Sequence, residues 1–464
     1  MIRARSRRTI PLRAASLRAA WLLPALLVAA CARYHAEPID AAHTAQALTA
    51  RRLSDARLVR FLGAMGVHPS GRWDLHALVL VAVYERPDLR IAHARYALAR
   101  GGVIAAGEVP NPQLALAPTF DATPVQAIAS PWTVGPVVDF LIDSFGARQA
   151  GVEAARDKAD AAKTLIATAA WQERGAVRDA MLSLWLAKRR HRLAARAADL
   201  AGEARAILAR RAQAGMVAQA VVAQATETAQ RAGFAAAEAR REVAIDRAKL
   251  AAASGLPAGA LADATLSFRA LAHPAAPGDL ARLTRRALTH RPDVVAALAK
   301  YRASEATLRQ AIDRQYPGFR IGPGYHYDEG ANKFLIAFSI PLPLFNQNQG
   351  PIAEARARRA LEAARFREVQ QTALAAIDTA AADWRASVTA ETAARDAAAT
   401  AQARAHRARL AFEAGATGRL ALVDAEHSAV LARQQTLSAE AQRLRALGHL
   451  ADALQHRFFD GGAG

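Results

Sequence analysis

Residues 331–355 read ANKFLIAFSIPLPLFNQNQGPIAEA: an alternating run, a Pro-x-Pro step, four Asn/Gln residues, then the start of an Ala/Arg-rich stretch. Phe334, Ile336, Phe338 and Ile340 put large apolar side chains on one face, while Leu335, Ala337 and Ser339 share the other. That period of two predicts a strand. Pro341 and Pro343 cannot donate ladder hydrogen bonds, so the strand is expected to end there. Asn346, Gln347, Asn348 and Gln349 are expected to satisfy backbone groups at a bend and to cap the helix that follows.

Upstream, Phe319, Ile321, Tyr325 and Tyr327 oppose Arg320, Gly322, Gly324 and His326, which makes a strand pair over about 318–341. The same parity occurs earlier. Trp132, Val134, Val138, Phe140 and Ile142 oppose Thr133, Gly135, Val137, Asp139 and Asp143. Leu114, Leu116 and Phe120 oppose Gln113, Ala115 and Thr119, giving a second strand pair over about 112–143. The duplication extends further. Glu85-Arg86-Pro87-Asp88 recurs as His290-Arg291-Pro292-Asp293, and Gln213-Ala214-Gly215 recurs as Glu413-Ala414-Gly415. Internal repetition of this kind divides the chain into repeats at 74–270 and 271–464.

In each repeat, Pro at the first helical position and Asp in the first turn predict a helix start. After each strand pair comes a long helix, 146–213 or 346–414, a Gly-containing tip, and a return helix, 218–254 or 419–458. At 1.5 Å per residue the long helices reach about 100 Å and the return helices about 55 to 60 Å. The Arg-Pro-Asp helix, at about 35 Å, is expected to stack end to end on the return helix and complete the length. Phe366, Val369, Ala373, Ile377, Ala380 and Trp384, spaced by threes and fours, form a coiled-coil seam. Strands of about ten residues, tilted, span about 24 Å, close to the apolar band of an outer-membrane barrel. Four strands cannot close a barrel, which needs about eight, and an open edge cannot face hydrocarbon. Several copies are therefore expected to share one barrel.

Residues 1–30 carry six arginines, no acid and an apolar stretch, and read as a signal peptide. Val28-Ala29-Ala30-Cys31 resembles a lipobox, so Cys31 is the expected lipidation site, and 31–73 the lipid-anchored periplasmic segment. Ala32 rather than Asp favours the outer membrane. Cys31 is the single cysteine, which excludes an intramolecular disulfide. The formal net charge is +20 and comes mostly from Arg. These charges are spread along helices among acids and few aromatics, which argues against a nucleic-acid groove.

The pieces ERPDLRIAHARYALA, HRPDVVAALAKYRASEATLRQA and SIPLPLFNQNQGPIAEARA, with the paired Ala-Gly tips, resemble the TolC family of outer-membrane efflux channels. The resemblance implies a mainly α fold with a small β part. It also implies a homotrimer whose strands form one twelve-stranded barrel, continued by a periplasmic α-barrel. The implied partners are a periplasmic adaptor (membrane fusion) protein, an inner-membrane RND-type pump and outer-membrane lipid. PLPLFNQNQG is most similar to the CzcC-like branch, which implies export of divalent metal cations. Gly215, Met216, Gly415, Thr417, Gly418 and Arg419 match the adaptor-contacting tips. Glu413 and Asp424 become candidates for gating or cation selectivity, with solvated helix ends as the plainer reading, because rings of acid favour cations in pores. Asp139 and Asp143 resemble acids facing the barrel lumen.

No catalytic constellation, cofactor loop or metal-ligand pair is present in the sequence. His326 and His427 read as solvated rather than as ligands. The competing class is a periplasmic coiled-coil lipoprotein, an adaptor or scaffold without a pore. It would not need two matched pairs of apolar alternating strands.

Overall fold

The computed structural model describes residues 33–68, 71–122, 130–143, 146–328 and 330–459. The signal segment and Cys31 lie outside them. The chain divides into two units, up to Ala50 and from Arg51 onward. In the first, α1 (Ala41–Ala50) is exposed throughout and is opened by Asp40, whose carboxylate accepts from the Ala42 N–H at 2.9 Å.

The second unit runs α2 (Ala56–Ala64), β1 (Arg72–Trp73), α3 (Leu75–Glu85), α4 (Pro87–Gly107), β2 (Gln113–Leu116), β3 (Thr119–Phe120), β4 (Trp132–Thr133) and β5 (Pro136–Ile142). It continues with α5 (Ala147–Gln213), α6 (Gln219–Ala253), β6 (Thr265–Leu266), α7 (Arg269–Ala272), α8 (Leu280–His290) and α9 (Pro292–Asp313). The last elements are β7 (Phe319–Asp328), β8 (Ala331–Ser339), α10 (Gln349–Glu413) and α11 (Arg419–Leu454). Among the described residues no helix is long and apolar enough to cross a membrane.

The helices form one layer. α4 and α6 pack along α5, α5 packs against α9 and α11, and these pack against α10. The seam is built as its spacing requires: Ala373, Ile377 and Ala380 are buried, as are Val177, Met181 and Leu184 on α5. The expected end-to-end stacking is present in both repeats. A Cβ on Gly255, just past α6, would lie 2.9 Å from the Glu85 Cβ at the head of α4. Arg291, heading α9, donates to the Ala453 carbonyl near the end of α11.

Three details differ from the sequence expectation. Residues 51–73 are not merely a tether. β1 pairs in parallel with β6, and Leu58, Leu62 and Trp73 enter the main core with α3, the middle of α5 and the end of α11. The first strand pair is broken into pieces, β2 with β5 and a separate β3–β4 ribbon. Pro118 and Pro136 stand at the breaks, where neither can donate to a ladder. Finally, the second long helix begins at Gln349 rather than 346. Pro351 sits in its first turn, where a missing N–H costs nothing.

Candidate functional site

The surfaces a pore would need lie at three levels: the sheet, the bend beneath it and the helical tips. The sheet has the order β2-β5-β7-β8 and is antiparallel throughout. Its register keeps the parity of the sequence. Phe140 faces Ile321, Ile321 faces Phe338 and Tyr325 faces Phe334, so one face is a continuous apolar band. That face is open: Phe334 is 84% exposed and Ile336 73%. On the other face Val137 meets Gly324 and Gly322 meets Ala337. Asp139 also lies there, opposite Gln113. Its Oδ1 is 2.5 Å from where a Cβ on Gly322 would stand, so the glycine leaves the carboxylate free to lie there. At the far end of the hairpin, Asp328 accepts from Thr133 Oγ1 at 2.8 Å and from Lys333 Nζ at 2.6 Å.

Asp143 does not share the strand position expected of it. β5 ends at Ile142, and Asp143 lies at the bend with Arg148 Nε 4.0 Å away. The two strand-to-helix bends are alike. Gly146 (φ 85) and Asn348 (φ 63) both take the left-handed conformation just before a long helix. Both sit against the end of α9: Asn348 Nδ2 donates to the Ala311 carbonyl at 2.6 Å, and a Cβ on Gly146 would lie 3.6 Å from Asp313 Oδ2. Leaving the strand after Ser339, the chain passes Pro341 and Pro343 without regular structure. The amide-bearing residues satisfy the bend itself. Asn348 N–H donates to Asn346 Oδ1 at 2.9 Å and Gln347 N–H to Gln349 Oε1 at 2.7 Å. They do not cap the helix, because the Asn348 side chain is engaged with α9 and makes no bond to the first turn.

The tips are a matched pair of Schellman turns. Met216 N–H donates to the Arg211 carbonyl at 2.8 Å, and Ala416 N–H to that of Ala411 at 2.8 Å, around Gly215 (φ 71) and Gly415 (φ 74). Met216 is 72% exposed, and Thr417 and Gly418 are exposed too. Arg419 pairs with Glu203 on α5 at 2.6 Å and lies over the Phe412 ring. This pairing holds the Glu203 carboxyl below its usual range. Glu426 joins Arg196 (3.1 Å) and Arg409. Glu413 and Asp424 are exposed and outside this lattice, so Arg419 is not their partner. Asp424 reaches solvent, yet desolvation by its neighbours pushes its carboxyl up, partly offset by His427.

Sequence reasoning missed a belt of buried charge between sheet and tips. Arg178 grips Asp452 with both terminal nitrogens (2.9 and 2.8 Å) and also holds Asp179. Gly448 and Gly175 leave space for this pair. Arg51 binds Glu85 at 2.9 Å, Arg86 binds Glu173, and Arg443 and Arg395 bind Glu391. In both Arg-Pro-Asp starts the arginine folds onto the aspartate, at 3.0 Å for Asp88 and 2.7 Å for Asp293. Lone glycines inside helical runs were the available signal, since they mark close approach. Among the described residues no group of His, Asp and Glu is placed to hold a metal ion.

Residues 79–256 and 283–455, the two repeats, match the outer membrane efflux protein family. The chain belongs to that family. A cobalt-zinc-cadmium resistance protein, CzcC, of Cupriavidus metallidurans is 27% identical over 289 residues, or 62% of this chain. The match spans 66% of that relative's length. Solved outer-membrane and transmembrane-channel proteins share the fold. VceC of Vibrio cholerae superposes with a TM-score of 0.65 at 21% identity, over 83% of this chain and 96% of its own. The outer-membrane channel OprN gives 0.66 at 20% identity, over 92% and 98%. CusC gives 0.65 at 19% identity, over 82% and 91%. The fold is thus that of the TolC-like outer membrane efflux proteins.

Proposed function

We propose that this outer membrane efflux protein is the passive exit duct of a tripartite system, built from three copies of the chain. The observation that carries this reading is a pair of open edges in matching order. β2 and β8 end the sheet, while α4 with α6 and α10 end the helical layer. β8 of one copy can therefore pair with β2 of the next while α10 packs on its α4 and α6. Three copies supply enough strands to pass the minimum of about eight for closure. The exposed apolar face then meets lipid, and Asp139 lines the lumen beside the small residues of the other face.

The remaining assignments follow from this duct. Cys31 carries the lipid anchor. Pro341 and Pro343 end the wall's β portion, and Asn346, Gln347, Asn348 and Gln349 carry the chain into its α portion. Gly215, Met216, Gly415, Thr417, Gly418 and Arg419 meet a periplasmic adaptor coupled to an inner-membrane RND-type pump. Similarity to a protein named for cobalt-zinc-cadmium resistance favours divalent metal cations as cargo. Glu413 and Asp424, from three copies, would ring the narrow end with carboxylates that favour cations.

Detergent-extracted protein is expected to cross-link as a trimer and to conduct ions in a planar bilayer. Monomers without conductance would instead favour the pore-less periplasmic scaffold. Glu413→Gln with Asp424→Asn is expected to lower cation preference in the same bilayers; unchanged selectivity removes the acidic ring from the reading. Cys31→Ser is expected to abolish metabolic palmitate labelling.

A further inference from the structure

A cavity of about 450 Å³ opens between α5, α8, the start of α9 and the end of α11. None of these is an edge element, so the cavity belongs to one protomer whether or not copies assemble. Its wall is largely apolar, formed by Leu283, Ala287, Leu454 and Trp171, with Ala287 and Leu454 buried. Its mouth is basic, with Arg286, His290 and Arg457 exposed. Among the described residues no carboxylate lines it. The acids on the adjoining segments, Asp293 and Asp452, are engaged by Arg291 at 2.7 Å and Arg178 at 2.8 Å.

Two features point to a missing acceptor. Trp171 Nε1 is buried with no hydrogen-bond partner among the described residues, and an indole N–H can only donate. Buried donors of this kind are normally satisfied, and each exception calls for an explanation. The Arg286 guanidinium makes no ion pair or hydrogen bond among the described residues. Arg174, one turn from Trp171, is held down to about 10 by burial and by the Arg457 and Arg178 guanidiniums. Burial and Arg286 likewise push the His456 imidazole down.

We infer that this cavity binds a small anion, its carboxylate or phosphate oxygens held by the Trp171 indole N–H and the Arg286 guanidinium, its apolar body on Leu283 and Leu454. The site lies on elements other than the tips.

The test is a calorimetric titration of the full-length, detergent-solubilised protein with inorganic phosphate and, separately, with benzoate, at ionic strength matched by sodium chloride. Saturable binding of at least one probe is expected, weakened roughly tenfold or more by Arg286→Gln and by Trp171→Phe, since each removes a hydrogen bond to an ionised group. Phosphate binding alone identifies a phosphoryl ligand, and benzoate binding alone an organic carboxylate. Arg286 is exposed and unpartnered, so Arg286→Gln keeps the fold and decides the matter even if Trp171→Phe does not. Saturable binding of neither probe, with the indole satisfied by water alone, or binding that Arg286→Gln leaves unchanged, overturns the inference.

Discussion

The helices that open the two repeats share an Arg-Pro-Asp start and nearly the same length, 21 residues in α4 and 22 in α9. Yet α9 buries eight positions and α4 only Ala92. The cause is position. α9 lies between α5 and α10, whereas α4 packs substantially on α5 alone. The long helices show the reverse asymmetry: α5 is enclosed by neighbours, while α10 forms an edge. Duplication has thus kept the local structure and let the neighbours set the environment. Ile91, Leu98 and Ile104 stay exposed on α4, and in the proposed trimer they would face the next copy.

The sharpest way to break this comparison is one substitution made at equivalent places. Ala299 is 1% exposed and its counterpart Ala94 is exposed. Ala299→Asp is expected to destabilise the protomer by about 3 to 5 kcal/mol, the cost of an unpaired buried charge. Ala94→Asp is expected to leave protomer unfolding unchanged while lowering the cross-linked trimer fraction. Denaturant unfolding and cross-linking on both variants check this, and equal unfolding effects would end the distinction between inside and edge.

A smaller contrast separates the two stacked junctions. Arg51→Met strands the buried Glu85 carboxylate and is expected to cost about 3 kcal/mol. Arg291→Met removes a bond to the Ala453 carbonyl and the pairing with Asp293, for an expected cost of about 1 to 2 kcal/mol. Thermal unfolding should rank them in that order. The tips should show no asymmetry. Gly215→Ala and Gly415→Ala each force a side chain into the left-handed region, costing about 1 kcal/mol in both repeats.

The smallest expected effect is on pH dependence. Burial raises the Glu85 carboxyl above 4.5, with Arg51 opposing it. The folded protein therefore takes up this proton at higher pH than the unfolded chain. Its contribution to stability is complete below 4.5 and is lost as pH rises through the raised value. Glu85→Gln should flatten the unfolding free energy across that window, measured by denaturant titration at several pH values.

Much of the fold was legible because it is written in periods: two in the strands, threes and fours in the seam, and one repeat laid over another. The sheet register could be read from Phe334, Ile336 and Phe338 because a slip of one residue would turn the band to the other face. The buried charges were not legible. Apart from Gly175 near Arg178, nothing local distinguishes Arg178 or Glu391 from the many solvated arginines and glutamates of the same helices; the partner that buries each lies far along the chain. The cap at Asn348 failed for the same reason. Its amide is drawn to Ala311, which only the packing of α9 brings near. Leu58, Phe61 and Leu62 do carry a helical period, but what they pack against was not legible, because it depends on the β1–β6 pairing between distant segments.

Both long helices start from left-handed residues seated against the end of one short helix, α9. In mechanical terms, α9 is a shared bearing, and α5 and α10 are levers turning on it. A stiff lever of about 100 Å converts a tilt of about 2° at that bearing into a displacement of about 3.5 Å at its far end. Movements too small to break the hydrogen bonds of the bends are therefore large enough to remake contacts at the tips.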